Sequence, residues 1–531
     1  MVKKSVILLI VIGIMLFFIV SQGIAAQKIA DGLVLTFFCS LSPRTAATRS
    51  SHNEIPVYQK AEELTGVKVR YIHPPIGQER EQFNLMLASG NLADIIFWSW
   101  ISDFPGGPQK ALDDKVIIPL NDLIKKYAPN ISRFLKSKPD IAKLVVTDKG
   151  DIYCVPFIRG GLRPGDEWQR FFLGPILRKD WLDDLGLTLP KTINDWEKVL
   201  RAFKQYKPNA YPLVAQKITT SNGLCWFTGA WGINYDFYHV NYKVRYGAVE
   251  PQYREFLSTM NRWYKERLID PDFMATDYNR LRTLVLEDKA GAFWGLMNQD
   301  LGGFTGLARA AGNKRFTLEM APWPYSPTGK SYNFYREVFA FSGTGAAISS
   351  TNKHPIESIK WMDFWWSEEG HILANFGIEG LTFNWTPDGF PKYTDLIMNN
   401  PEGLAPVNAL SKYAPNGGSG RFWIQDDRYW RQMLTYPEQY ESGVRLAKTS
   451  CIDRTMPPLT FTSEEARELA SILASIETYR DEMFAKFIMG REPLSNFSKY
   501  IDQMKRMGIE RAIQIEQEAL NRFRQRKPPK F

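Results

Sequence analysis

Trp98 and Trp100 stand at the end of the run 94–98, whose apolar residues fit a buried strand of a parallel sheet. In open α/β sheets, ligands bind in the crevice beyond the carboxyl ends of the strands. Two indole faces delivered there suit a flat-faced ligand such as a sugar ring; the plainer reading makes both of them core. Sugar recognition asks for aromatic faces that stack on a ring's C–H surface and planar polar groups that take hydroxyls in pairs. On that chemistry the further candidates are Tyr153, Arg178 and Asp180 with Trp181, Trp294 between Gly291 and Gly295, and Trp323 between two prolines. Glu379, with Gly377 and Gly380 close by, and Trp385 complete the set, and Trp423 is weaker. Arg178 and Asp180 read equally well as a solvated helix start, and Glu379 as a turn residue. Glycines beside Trp294 are read as room for a ligand to approach the indole.

Enzyme chemistry is less well served. A glycosidase needs two carboxylates about 5–10 Å apart across the sugar bond. Asp180, Asp183, Asp184 and Glu379 are available, but no spacing fixes a pair. There is no nucleophile elbow and no phosphate loop. The five histidines (His52, His73, His239, His354, His371) show no metal spacing, and Cys39, Cys154, Cys225 and Cys451 are widely separated. No catalytic residue, metal or cofactor is therefore assigned. A secreted polysaccharide hydrolase or lyase stands as the alternative to a binding protein.

The elements that must position these residues begin with strand 33–39, a helix from Pro56 closed by Gly66, strand 67–72, a helix over 82–88 and strand 94–98. This β-α-β-α-β order opens a doubly wound sheet. Pro156 demotes the strand 152–158 to an edge or a crossover. Thr192 and Asp195 cap a helix carrying Trp196, Val199, Leu200 and Phe203, and 253–268 is another amphipathic helix. The run 291–297 is a strand or turn, 346–349 a strand, and 387–420 loop-rich. A capping box at Thr462 and Glu465 starts a long helix, and a last one carries Phe497, Tyr500, Ile501 and Met504.

The chain has 531 residues, 44% hydrophobic, 23% charged and 14% aromatic, which suits two or three domains or one large two-lobed body. Its net charge of +9 is mild at this length and forms no dense basic block before the C-terminal tail. It serves solubility, with weak steering of acidic ligands as the alternative, and argues against nucleic acid as a partner. Lys3-Lys4, the apolar run 6–20 and the small residues at 21–26 describe a secretory signal over 1–26. An uncleaved anchor is the alternative. No cysteine follows the small residues, so lipidation is not expected and the location is extracytoplasmic.

Seven segments in order carry a resemblance: EIPVYQKAEELTGVKV, EQFNLMLASGNLADII, GDIYCVPF, LRKDWLDDLGLTLPKTINDWEKVLRAFK, WYKERLID, SIKWMDFWWSEEG and FGIEGLTFNW. Together they resemble family 1 extracellular solute-binding proteins of carbohydrate ABC transporters, with alginate-binding and lipoprotein-like members nearest in pattern. The resemblance spans almost the whole chain. It implies two doubly wound α/β lobes joined by a multi-crossing hinge, the type II periplasmic-binding-protein arrangement, with helices at the C-terminus. The expected lobes are 31–154 with 337–381, and 155–336 with 382–531. The resemblance also implies an oligosaccharide in the inter-lobe cleft, a monomeric receptor and delivery to membrane permease subunits. Some alginate-binding relatives carry a calcium loop after the helix ending AFK. Here residues 205–211 hold no carboxylate, so no metal is carried over.

Overall fold

The computed structural model describes residues 28–216, 223–335, 338–415 and 420–531. The expected signal segment lies outside them. The chain opens with β1 (Leu33–Phe38), α1 (Pro56–Thr65), β2 (Val67–Ile72), α2 (Glu79–Ser89) and β3 (Ile95–Ser99). Proline in its first turn starts α1, and Gly66 ends it at φ 72°. Only glycine fits there: a Cβ would stand 2.2 Å from the Ala30 carbonyl oxygen. β2 alternates buried and exposed residues along its whole length, as an outer strand with one covered face must.

The short β4 (Val155–Pro156) closes this first pass, and the chain enters a second body. There β5 (Leu173–Arg178), α3 (Ile193–Tyr206), β6 (Tyr211–Val214), α4 (Pro251–Lys265), β7 (Ala290–Leu296) and β8 (Leu318–Met320) follow. The Thr192 side chain and the Asp195 carboxylate cap α3 reciprocally. β9 (Thr344–Ile348) then returns to the first sheet. That sheet has the order β2-β1-β3-β9-β4, with β9 antiparallel to both neighbours. The second has the order β8-β5-β7-β6. α5 (Pro355–Phe364) covers the first sheet. α6 (Pro437–Thr449), α7 (Ser463–Met489), α8 (Phe497–Arg506) and α9 (Ile509–Gln525) form the helical C-terminus.

Two large cores match the two sheets. One runs from Leu35 to Ile158 and resumes from Ala340 to Met433; the other runs from Trp168 to Val338 and resumes from Leu446 to Ile515. The chain therefore passes between them at 158–168, 338–340 and 433–446. The expected lobe assignment of 382–531 departs from this packing. Phe383, Tyr393, Ile397, Leu410, Phe422, Trp423 and Met433 are buried in the first core. The reason is β-pairing and aromatic packing across long separations: Ile424 pairs with Ile158, and Trp423 stacks on Trp365 at 5.5 Å. The stretch 387–420, expected as loop, holds short elements at Pro391–Tyr393, Asp395–Met398 and Pro406–Ser411.

α9 is rooted in the second core through Ile509, Ala512 and Ile515, yet its end reaches the first body. Arg522 and Arg526 donate to the two oxygens of Asp148 at 2.7 and 2.6 Å, and Phe523 packs on the first core. No described helix is long and apolar enough to cross a membrane.

Candidate ligand-binding cleft

A cavity of about 650 Å³ opens between the two bodies. The first body contributes Ser99, Ile101, Ser102, Ser342 and Thr344. These lie at the carboxyl end of β3 and the start of antiparallel β9, the position the strand rule indicates. Ser99 and Thr344 face each other in register, with hydroxyls 3.0 Å apart.

The second body contributes an aromatic wall. Trp294, near the end of β7, stacks on Trp226 at 5.3 Å and meets Trp323 edge-on at 4.6 Å. All three border the cavity with only an edge exposed, their indole nitrogens buried behind it. Tyr235, Asp236, Phe334 and Tyr335 extend the wall, and Glu477 of α7 and Glu516 of α9 close one side. The Tyr235 hydroxyl donates to Asp481, and the Arg480 guanidinium lies 4.1 Å from its ring centroid. Burial raises the Glu477 carboxyl above its usual range, the charges of Asp236 and Asp481 add to that rise, and Arg480 opposes it.

Of the residues singled out from sequence, Trp294 and Trp323 border the cleft; the others do not. Trp98 stacks flat on Phe83 of α2 at 4.0 Å. Trp100 is fully buried and donates its indole N–H to the Gly345 carbonyl at 3.0 Å. The strand end was located, but the short residues beside these tryptophans face the cavity. Tyr153 is fully buried in the first core. Arg178 is held by Asp180 and Asp288 and lies between the rings of Trp181 and Phe316 at 4.6 and 4.4 Å. That is a structural staple, with Trp181 packed edge-on against Phe203. Glu379 is exposed on a turn, Trp385 is 41% exposed on a hairpin away from the cleft, and Trp423 is core.

The glycines around Trp294 also have another explanation. A Cβ on Gly291 would stand 2.5 Å from Phe203, and one on Gly295 2.8 Å from the Asp300 carboxylate. They admit close packing within the second body. Trp226, Tyr235 and Asp236 escaped the sequence reading, although 223–238 stands out as rich in Trp, Tyr and Gly.

A second cluster joins residues far apart in sequence. Cys39 Sγ lies 3.7 Å from His52 Nδ1 and 4.0 Å from His73 Nδ1. These are metal-ligating types. However, His73 Nδ1–H donates to the Cys39 carbonyl at 2.9 Å, and its Nε2 accepts the His52 backbone N–H at 3.1 Å. Both ring nitrogens are thus occupied by the backbone, and the cluster knits β1 to the end of β2.

Two α/β bodies crossed several times by the chain, with an aromatic-walled cleft between them, define a receptor that binds a solute between its lobes. A family model for bacterial extracellular solute-binding proteins matches residues 51–372, and the chain belongs to that family. It is 24% identical over 492 residues to the fructooligosaccharide ABC transporter substrate-binding protein FusA of Streptococcus pneumoniae, covering 90% of this chain and 88% of that protein. It is also 24% identical to the polygalacturonan/rhamnogalacturonan-binding protein YtcQ of Bacillus subtilis, covering 87% of each. Among solved structures, alginate-binding protein AlgQ2 without calcium ion superposes with a TM-score of 0.71 at 25% identity, covering 93% of this chain and 99% of that one.

Proposed function

We propose that this protein is the extracytoplasmic substrate-binding component of a carbohydrate ABC transporter. It takes an oligosaccharide between its bodies and delivers it to membrane permease subunits. The observation that carries the reading is the aromatic wall of Trp226, Trp294 and Trp323 lining the same cavity as the Ser99–Thr344 hydroxyl pair of the first body. Family membership and the carbohydrate named for both FusA and YtcQ support it. Ligand touching both bodies favours the closed arrangement and shifts the population toward it. The protein acts as a monomer without cofactor and without chemistry on its ligand.

A thermal-shift screen against oligosaccharides, followed by chromatography of each hit, tests this. A ligand that binds the folded state raises the melting temperature by mass action. The expected result is a shift with the sugar recovered intact; a consumed sugar would establish a hydrolase or lyase instead. Trp294→Ala is expected to weaken binding by about 2 kcal/mol, the loss of a buried aromatic anchor, with the fold intact by circular dichroism. Unchanged affinity would remove Trp294 from the site.

A further inference from the structure

The net charge of +9 is not spread evenly along the chain. Residues 125–149 hold seven lysines and arginines against two acids, and residues 522–531 hold five against none. These two stretches account for the whole of the chain's excess. The fold brings them together. The helices Asn121–Tyr127, Pro129–Ser137 and Pro139–Leu144 follow one another in the first body, and the end of α9 lies against them. Lys143 donates to the Arg524 carbonyl at 3.0 Å and stands 5.2 Å from the centre of the Phe523 ring. Lys136 stands 6.0 Å from that of Phe531. Lys149, Lys527 and Lys530 line one groove of about 690 Å³ with Arg522 and Arg526. Pro528 and Pro529 bar α9 from continuing and lie along the same groove.

Part of this charge is matched within the protein. Arg522 pairs with Asp148 and Glu465, and Arg526 with Asp148. Lys149 reaches Asp113 at 3.0 Å, but both side chains are well exposed, where an ion pair contributes little. Lys136, Arg524, Lys527 and Lys530 are exposed. The crowding of cations registers at Lys143. Burial and the charges of Arg526 and Arg524 push its ammonium below the ordinary lysine range, against the pull of Asp140.

We infer that this basic face docks on the anionic phospholipid surface of the membrane that carries the transporter. The inference rests on the proposed function for its setting, because a receptor that delivers to a permease works at a membrane. The family is extracellular, which sets nucleic acid aside. Lipid headgroups offer many phosphate charges over a broad, mobile layer. Lysine, a compact charge on a flexible stem, suits such a layer. A protein interface is instead built round a desolvated apolar centre. Each cation held near an anionic membrane adds about fivefold to affinity, and several act together. The face thus holds the receptor at the membrane by contacts remote from the Trp226–Trp294–Trp323 wall.

Co-sedimentation of the full chain with phosphatidylcholine vesicles, with and without phosphatidylglycerol, tests this. The same chain carrying Lys136→Gln, Lys527→Gln and Lys530→Gln together is measured beside it. The expected result is binding at least about tenfold tighter to the anionic vesicles, and a loss of at least about tenfold in the triple variant. Raising salt should release the unaltered protein, a readout that needs no variant. Equal binding to both vesicles overturns the inference and assigns the contact to an apolar segment. Anionic binding that neither the triple variant nor salt weakens overturns it as well. Binding to neither vesicle overturns it too, and retention on immobilised polyglutamate would then assign the face to an acidic protein. Neither sugar nor permease is present, so failure here leaves the proposed function standing. Failure of every sugar in the thermal-shift screen removes that function without altering the vesicle result.

Discussion

His52 is buried between β1 and the end of β2, stacked on Tyr58 at 5.3 Å, and burial together with the neighbouring His73 pushes its imidazole down to about 3 from an ordinary 6.5. The folded protein therefore holds it neutral while the unfolded chain takes up a proton below pH 6.5. Its contribution to stability is complete above that pH and is lost as pH falls toward 3, by about 1.4 kcal/mol per unit. Asp363 works in the opposite sense: burial raises it to about 6, so the folded state is the better proton acceptor between about 3.8 and 6. The two overlap, and the raw melting curve mixes them. The difference in melting temperature between the protein and His52→Phe separates them, and is expected to shrink steadily from pH 7 to pH 4. A difference that stays constant would show that His52 titrates normally. Single residues were also the hardest scale to read from sequence. Trp98, Trp100 and Trp294 are alike in type and each ends a strand-like run, but which indole meets the cleft depends on what lies behind it. Phe83 and the Gly345 carbonyl claim the first two, from contacts that local spacing does not reveal.

The elements were more legible. The opening β-α-β-α-β, the Thr192–Asp195 cap, α4 and the Thr462 capping box all follow from local chemistry: glycine stops, prolines in first turns and side chains that satisfy free N–H groups. Gly66 shows how strict such a stop is. Gly66→Ala forces a methyl group against the Ala30 carbonyl in a left-handed conformation. It should destabilise the protein by about 2 kcal/mol in urea unfolding, well beyond the cost of the φ angle alone. A loss below about 0.5 kcal/mol would mean that the segment before β1 simply moves aside. Among the labelled helices, α6 and α9 were not singled out from sequence. The buried side of α9 is Ile509, Ala512, Ile515, Ala519 and Leu520, two of them alanine, so its stripe is faint among many charges.

Across the whole molecule, the two bodies share more than linkers. Asp148 of the first accepts from Arg522 and Arg526 at the end of α9, and Arg526 is 1% exposed at its side chain. Asp148→Ala strands a buried guanidinium and is expected to cost about 3 kcal/mol, read as a lower melting temperature. Asp148→Asn, which keeps an acceptor oxygen, should cost less; equal losses would show that the charge matters more than the hydrogen bonds. The assignment of 383–433 to the first core was not legible, because its evidence is pairing over more than 250 positions of separation, as between Ile424 and Ile158. The same interleaving governs how the protein is born. β9 fills the gap between β3 and β4, and its Thr344 meets Ser99 across 245 positions. At about 5–20 residues per second, a ribosome needs about 10–50 seconds to supply the missing strand. Throughout that interval the apolar edge Ile95–Ser99 has nothing to pair with, the kind of surface on which nascent chains aggregate. The first sheet to be begun is therefore the last to be completed, and the chain needs an escort, or must stay unfolded, until most of it has been made.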